Sequence, residues 1–124
     1  MKFTSFNPLI VTSKGEDTVK LFEALGFEKQ HINKDVGGIG VTNYTMKDAN
    51  GFKVDVADAP NTKQDITLIR MNVDDFDEAF KFLTDKGFKN ISGRIVETKA
   101  SKSVMMVSPT GFGFDLCHHI KDHD

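Results

Sequence analysis

The chain says one thing twice. Phe6-Asn7-Pro8-Leu9-Ile10-Val11, then polar residues, then Thr18-Val19-Lys20-Leu21-Phe22-Glu23-Ala24-Leu25-Gly26-Phe27 form the first statement. Leu68-Ile69-Arg70-Met71-Asn72-Val73, then Asp74-Asp75-Phe76-Asp77-Glu78, then Ala79-Phe80-Lys81-Phe82-Leu83-Thr84-Asp85-Lys86-Gly87-Phe88 form the second. Both halves close on a matching phrase: Asn50-Gly51-Phe52-Lys53-Val54-Asp55-Val56 is answered by Thr110-Gly111-Phe112-Gly113-Phe114-Asp115-Leu116. Corresponding points lie about 60 residues apart throughout. Several such matches in one order imply a duplicated supersecondary unit, and that restricts the fold more than any other feature of the chain.

Each copy is legible in physical terms. The opening run is rich in β-branched and large apolar residues and predicts a strand. A helix follows, with Val19, Phe22 and Leu25 recurring at spacings of three in the first copy and Glu16-Asp17 placing negative charge on the first turn. In the second copy Phe76, Ala79, Phe80 and Leu83 make the apolar stripe, with Asp74 or Asp75 as the cap. Gly26 and Gly87 stand where a left-handed residue ends a helix, and Phe27 and Phe88 open the next strand. Ile39 to Met46 and Phe52 to Val56 are strands joined by Lys47-Asp48-Ala49-Asn50-Gly51; Val104 to Val107 and Phe112 to Leu116 are joined by Ser108-Pro109-Thr110-Gly111. The expected unit is βαβββ. The chain is read as one domain of two repeats, residues about 3–58 and 65–119, with 59–64 as the linker. Gly37-Gly38 and Lys99-Ala100-Ser101-Lys102 read as loops.

Composition narrows the function classes. A chain of 124 residues and 13.8 kDa holds a single compact domain with a real core. Sixteen basic and eighteen acidic side chains give a formal net charge of −2, which argues against binding a nucleic-acid backbone. The one cysteine, Cys117, excludes an internal disulfide framework and a Cys-rich zinc ribbon. No apolar run is long enough to span a membrane, and Met1-Lys2-Phe3-Thr4-Ser5 does not lead into a secretory signal. The expected setting is the reducing cytoplasm.

A sheet with one helix buries only one face. Phe52, Val54 and Val56, like Phe112, Phe114 and Leu116, alternate onto the side expected to pack on the helices. The other side carries Lys53, Asp55 and Ala57, or Gly113, Asp115 and Cys117. Polar groups on the helix-free side of a curved sheet point to a wet pocket.

The repeated βαβββ unit, the Leu25-Gly26-Phe27 helix end and the turn–Gly–hydrophobic–acid–hydrophobic close resemble the vicinal oxygen chelate superfamily, which includes glyoxalase I, bleomycin-resistance proteins and extradiol dioxygenases. The resemblance covers residues about 3–119 and implies an α+β fold: two tandem βαβββ modules forming a curved mixed sheet around a cleft. Its enzymes hold a divalent metal with one side chain from the first strand and one from the last strand of each module. Here those positions are Phe6 and Leu68, then Asp55 and Asp115, with Asn7 replacing Phe6 if the register slips by one. Phe6 and Leu68 have no donor atom, so of these four positions Asp55 and Asp115 remain as metal candidates, able at most to hold a hydrated divalent ion.

Other residues carry a bland reading beside a functional one. Arg70 sits mid-strand and needs an anionic partner: Asp55, Asp115 or a ligand's carboxylate or phosphate. Lys53 shares the inferred face. His118 and His119 follow Cys117, and His123 is near; alternation puts His119 with Asp115, while the tail metal reading competes with a solvated terminus. His31 reads as exposed. Tyr44, the only tyrosine, is either a hydroxyl donor to a ligand or a packing residue with a wet tip. Met46, Met105 and Met106 are read as core filling or an adaptable lining.

These readings converge on a small-molecule-binding protein of the glyoxalase/bleomycin-resistance type. It is expected to be metal-independent, with no cofactor, and to sequester or sense a ligand on Arg70, Asp55, Asp115, Lys53, Tyr44, Phe6, Leu68 and His119. No catalytic residue is assigned, and the resemblance implies a homodimer. The alternatives are a divalent-metal lyase or dioxygenase similar to glyoxalase I, in which Asp55 and Asp115 ligate the metal, and an interaction module with a filled pocket.

Overall fold

The computed structural model of the chain describes residues 1–36, 40–91, 95–97 and 101–119. The elements run β1 (Phe3–Thr12), α1 (Gly15–Ala24), β2 (Glu28–Val36), β3 (Val41–Lys47), β4 (Lys53–Asp58), β5 (Ile66–Val73), α2 (Phe76–Asp85), β6 (Lys89–Asn90), β7 (Val96–Glu97), β8 (Ser101–Val107) and β9 (Gly113–His119). Two compact units result, one of Asn7–Leu68 and one of Met1–Phe6 with Ile69–Asp124. Both are α+β with a mixed sheet and one helix, the βαβββ plan that the repeat implies.

In the Asn7–Leu68 unit the strand order is β2-β3-β4-β1, with β1 parallel to β4 and the other neighbours antiparallel. Its core is Val19 of α1 against Met46, Val54 and Val56, with Ile10, Phe22, Phe27 and Tyr44 packed around them. The other unit repeats this plan as β5-β9-β8-β6, again with its first and last long strands parallel, and with β7 also pairing β8. There Phe76 and Ala79 of α2 pack on Val73, Val104, Met106, Phe114 and Leu116. The N-terminal residues belong to this second unit: Lys2 N–H donates to Asp74 Oδ1 at 2.7 Å, and Asp74 N–H to the Lys2 carbonyl at 3.0 Å.

The duplication extends to individual hydrogen bonds. Asp48 Oδ1 accepts from the Asn50 and Phe52 amides, and Ser108 Oγ accepts from the Thr110 and Phe112 amides. Phe27 N–H reaches back to the Phe22 carbonyl at 2.9 Å, as Phe88 N–H does to Leu83 at 3.0 Å. These bonds close each helix over Gly26 and Gly87, whose φ values of +103° and +94° suit glycine. The helix starts differ. Asp75 caps α2 by accepting from Glu78 N–H at 3.0 Å, whereas Lys14 at the start of α1 contributes no side-chain cap.

Several expectations are corrected. Phe52 is absent from the core cluster on α1 and is 67% exposed, and Phe112 is 47% exposed and meets the second core only at its edge, its ring 5.5 Å from that of Phe114, because the side-chain acceptors of Asp48 and Ser108 hold their amides inside the turns and the strands begin one residue later. Leu25 is 63% exposed, since α1 ends at Ala24 and the residue after it has left the helix stripe. Ser101 and Lys102 are strand residues of β8 rather than loop, paired with His119 and His118 of β9. Gly37, Gly38, Lys99, Ala100 and His123 lie outside the described residues. Among the described residues no helix is long and apolar enough to cross a membrane.

Candidate functional site

Strand register decides which side chains share a face, because residues directly opposite across a strand pair project to the same side. In the Asn7–Leu68 unit Val56 opposes Ile10 and Tyr44, and Val54 opposes Met46; all pack toward α1. The helix-free face therefore carries Leu9 and Thr45, both opposite Asp55, and Val11 and Asn43, both opposite Ala57. Asn7, two residues before Leu9, shares that face. So do His31 and Asn33 of β2, which oppose Thr45 and Asn43 and are exposed.

This face is polar yet withdrawn from solvent. Asn7 and Asp55 are each 5% exposed. Asn43 Oδ1 and Thr45 Oγ1 are buried oxygens with no hydrogen-bond partner. Asn7 Nδ2 donates to the Pro8 carbonyl at 3.0 Å. Lys53, at the start of β4, follows the parity of Asp55 but is exposed.

Two expected ligand residues fall elsewhere. Tyr44 packs on Val19, Met46, Val54 and Val56, on the α1 side and away from Asp55. Burial there, followed by the charges of Glu16 and Asp58, raises its phenol pKa above 10.0. Phe6 is 57% exposed, its ring 5.9 Å from that of Phe3, and has the parity of Pro8 and Ile10. Asn7, not Phe6, occupies the inward position of the first strand. Adding β5 makes the reason plain: Leu9 opposes Asp55 as Arg70 opposes Asp115, so Leu68 is matched by Asn7.

In the second unit the helix side holds Ile69 and Met106 opposite Phe114, and Met71 and Val104 opposite Leu116. The helix-free face brings together Arg70, Asp115 and Met105, then Asn72, Cys117 and Ser103, then His119 and Ser101. Arg70 Nε donates to Asp115 Oδ2 at 2.8 Å, so an acid of its own unit is one partner of the mid-strand arginine. Asn72 Nδ2 donates to Ser5 Oγ at 2.6 Å, while Asn72 Oδ1 is buried without a partner. Cys117 is buried and forms no disulfide. His118 has the other parity, opposite Lys102, whose ammonium reaches Asp77 at 3.2 Å and lies 5.0 Å from the Phe76 ring centroid. Met46 and Met106 are core; Met105 alone of the three lies on a helix-free face. Leu68 is half-buried and offers no donor.

Sequence reasoning missed Asn43, Thr45 and Asn72. Their signal was present as polar residues at period two inside strands, but it became readable only with the register of β3 on β4 and β5 on β9 fixed.

The donor set does not fit a divalent ion. Among the described residues no three His, Cys, Asp or Glu side chains gather. Asp115 already shares one oxygen with a guanidinium, whose positive charge stands where a cation would have to approach. A shallow depression of about 340 Å³, lined by Gly87, Lys89, Ile91, Val107, Ser108 and Pro109, includes none of these residues.

Scanned against protein-family models the chain matches none, and no curated protein matches it in sequence. Solved structures do match in shape. A hypothetical protein from Bacillus halodurans superposes with a TM-score of 0.71 at 12% identity, over 96% of this chain and 98% of that one. A methylmalonyl-CoA epimerase gives 0.66 at 15% identity, over 93% and 94%. A glyoxalase/bleomycin resistance protein/dioxygenase superfamily member from Vibrio splendidus gives 0.56 at 17%, over 96% and 100%. Identities this small speak for architecture alone, and they do so consistently: the chain has the vicinal oxygen chelate fold, that of the glyoxalase/bleomycin-resistance group.

Proposed function

We propose that this chain is a small-molecule-binding protein that sequesters or senses its ligand on helix-free sheet surface without a bound metal. One observation carries the reading. Three buried oxygens lack hydrogen-bond partners, Asn43 Oδ1, Thr45 Oγ1 and Asn72 Oδ1, and all three lie on helix-free faces beside ionisable groups. A buried polar atom left unpaired costs about 1–3 kcal/mol, and a ligand that supplies the missing partner recovers that cost. Leu9, Ala57 and Met105 supply apolar surface on the same faces, the mixture typical of small-molecule sites. The solved relatives in shape include both a superfamily member named for resistance and an epimerase, so the fold serves binding and catalysis alike. The donor chemistry around Asp115 favours binding. The protein is proposed to act as a homodimer in the cytoplasm; the reduced Cys117 thiol suits that compartment.

A thermal-shift screen of chemically diverse small molecules tests this, run in parallel with a chelator and with added divalent ions. A ligand at a hundred times its dissociation constant adds about 2.7 kcal/mol to stability, a rise in Tm of several degrees. The rise is expected to be the same in chelator. No response across the panel, or a response that requires a divalent ion, overturns the proposal.

A further inference from the structure

We propose that Asn50 is a site of spontaneous modification, converting to aspartate and isoaspartate through a ring closed on Gly51, and that the Asp48 side chain sets its pace. Among the chain's asparagines only Asn50 precedes glycine. The reaction is an attack by the next residue's backbone nitrogen on the asparagine side-chain carbonyl. A side chain on that next residue obstructs the approach, and glycine has none. Asn50 and Gly51 are both exposed in the turn between β3 and β4. Gly51 has a φ of +87°, and a Cβ built on it would meet, beyond its chain neighbours and among the described residues, only Lys47 Cε at 3.9 Å. The space beside the attacking nitrogen is open. The step needs water and no other co-reactant. The Gly51 nitrogen bonds to Asn50 Cγ, the Cγ–Nδ2 bond breaks, and Nδ2 leaves as ammonia with the proton that Gly51 gives up. Water then opens the cyclic imide at Cγ to give aspartate, or at the Asn50 main-chain carbonyl to give isoaspartate.

The turn works against this chemistry. The Asp48 carbonyl accepts from Gly51 N–H at 3.1 Å, and Asp48 N–H donates to the Phe52 carbonyl at 3.0 Å. Asp48 Oδ1 accepts from Asn50 N–H at 3.0 Å and from Phe52 N–H at 2.8 Å. The Gly51 N–H is thereby directed at Asp48, so ring closure draws on the population in which the turn has opened. The carboxylate braces the closed form with two charge-assisted bonds, and its removal enlarges the open population. Ser108 makes the same two bonds in the second repeat, where Thr110 stands before Gly111 in the place of the asparagine. That turn has the brace without the reactive amide, so the molecule carries its own control. An isoaspartyl link adds a methylene to the main chain and carries Gly51 and Phe52 away from the positions at which Asp48 holds them.

The test incubates the intact protein in mildly alkaline buffer and follows it by charge separation and peptide mass mapping, with isoaspartate resolved chromatographically. Asn50 is expected to convert before any other amide, giving aspartate and isoaspartate together. Asn50→Thr, which copies Thr110, is expected to abolish the first acidic species to form. Asp48→Ala is expected to speed conversion about fivefold or more, and Asp48→Ser, which copies Ser108, to restore most of the slow rate. Should Asp48→Ala fail to fold, the wild-type chain in buffer and in urea decides, with the unfolded chain expected to convert at least about fivefold faster. Earlier loss of another amide, or conversion confined to the unfolded chain, overturns the site. Equal rates for wild type and Asp48→Ala, or for the native and the unfolded chain, overturn the part given to Asp48.

Discussion

Arg70 and Asp115 are joined twice over: they are register partners across the parallel β5–β9 pair, and Arg70 Nε donates to Asp115 Oδ2 at 2.8 Å. Both side chains are largely withdrawn from water, at 13% and 11% exposure, so either charge left alone would be poorly solvated. Asp115→Asn is therefore expected to lower unfolding stability by about 2–4 kcal/mol. Arg70→Met combined with Asp115→Leu should recover part of that loss, because the bond between the two charges is then removed from both sides. Urea denaturation of the single and double variants measures the difference. A double variant as unstable as the worse single would contradict the account.

Tyr44 offers a spectroscopic reading of the α1 side. It is the only tyrosine in a chain with no tryptophan, so its ionisation can be followed in the ultraviolet without interference. Burial first, then the Glu16 and Asp58 carboxylates, raise its pKa above 10.0 in the folded state. The stabilisation linked to the neutral phenol is complete below the unfolded value and is lost as pH climbs through the folded one. The titration midpoint of the native protein should lie above that of the denatured chain, and Glu16→Gln should bring it down. Identical midpoints would remove Tyr44 from the packed side of β3.

Gly15 shows where the chain cannot accept even a methyl group. A Cβ built there meets the Asp58 side chain, with Cγ at 2.6 Å and the Asp58 Cα at 2.9 Å. Helix propensity alone favours alanine by about 1 kcal/mol at an exposed helical position. The overlap with backbone as well as side chain should reverse the sign, making Gly15→Ala destabilising by about 1–3 kcal/mol. Thermal unfolding of Gly15→Ala against wild type distinguishes the two effects by sign.

The helices also differ at their starts. Asp75→Ala removes the acceptor for Glu78 N–H and should cost about 1 kcal/mol, while Asp75→Ser should cost much less. Alanine at Lys14, which contributes no side-chain cap to α1, should be nearly silent by comparison. Chemical denaturation midpoints for the three variants give the ranking.

Much of this was written in the repeat. The βαβββ order, the helix-ending glycines, the Asp75 cap and the inward acids Asp55 and Asp115 all follow from short patterns whose physics is local: periodicity, caps and turns. What escaped depended on parity. Phe6 and Asn7 differ by one step along β1, and only the pairing of Leu9 with Asp55 says which of them turns inward. Tyr44 and Thr45 present the same ambiguity, sharpened by the irregular register between β2 and β3 near Lys29 and His31. A strand's two faces are exchanged by a single-residue slip, and nothing within the strand fixes the choice. Phe52 and Phe112 were misplaced for another reason: a side-chain acceptor in each turn competes for the strand's first amide.

The grouping of Met1–Phe6 with Ile69–Asp124 bears on how the molecule comes into being. One unit is drawn from an unbroken stretch of chain, so its contacts close over short loops and can form while synthesis continues. The other joins residues 1–6 to a stretch that starts at Ile69, a loop whose closure carries a larger entropic penalty. Lys2 and Asp74 can meet only after the whole intervening unit has emerged, so the opening strand must wait, half committed, for a partner still to be translated.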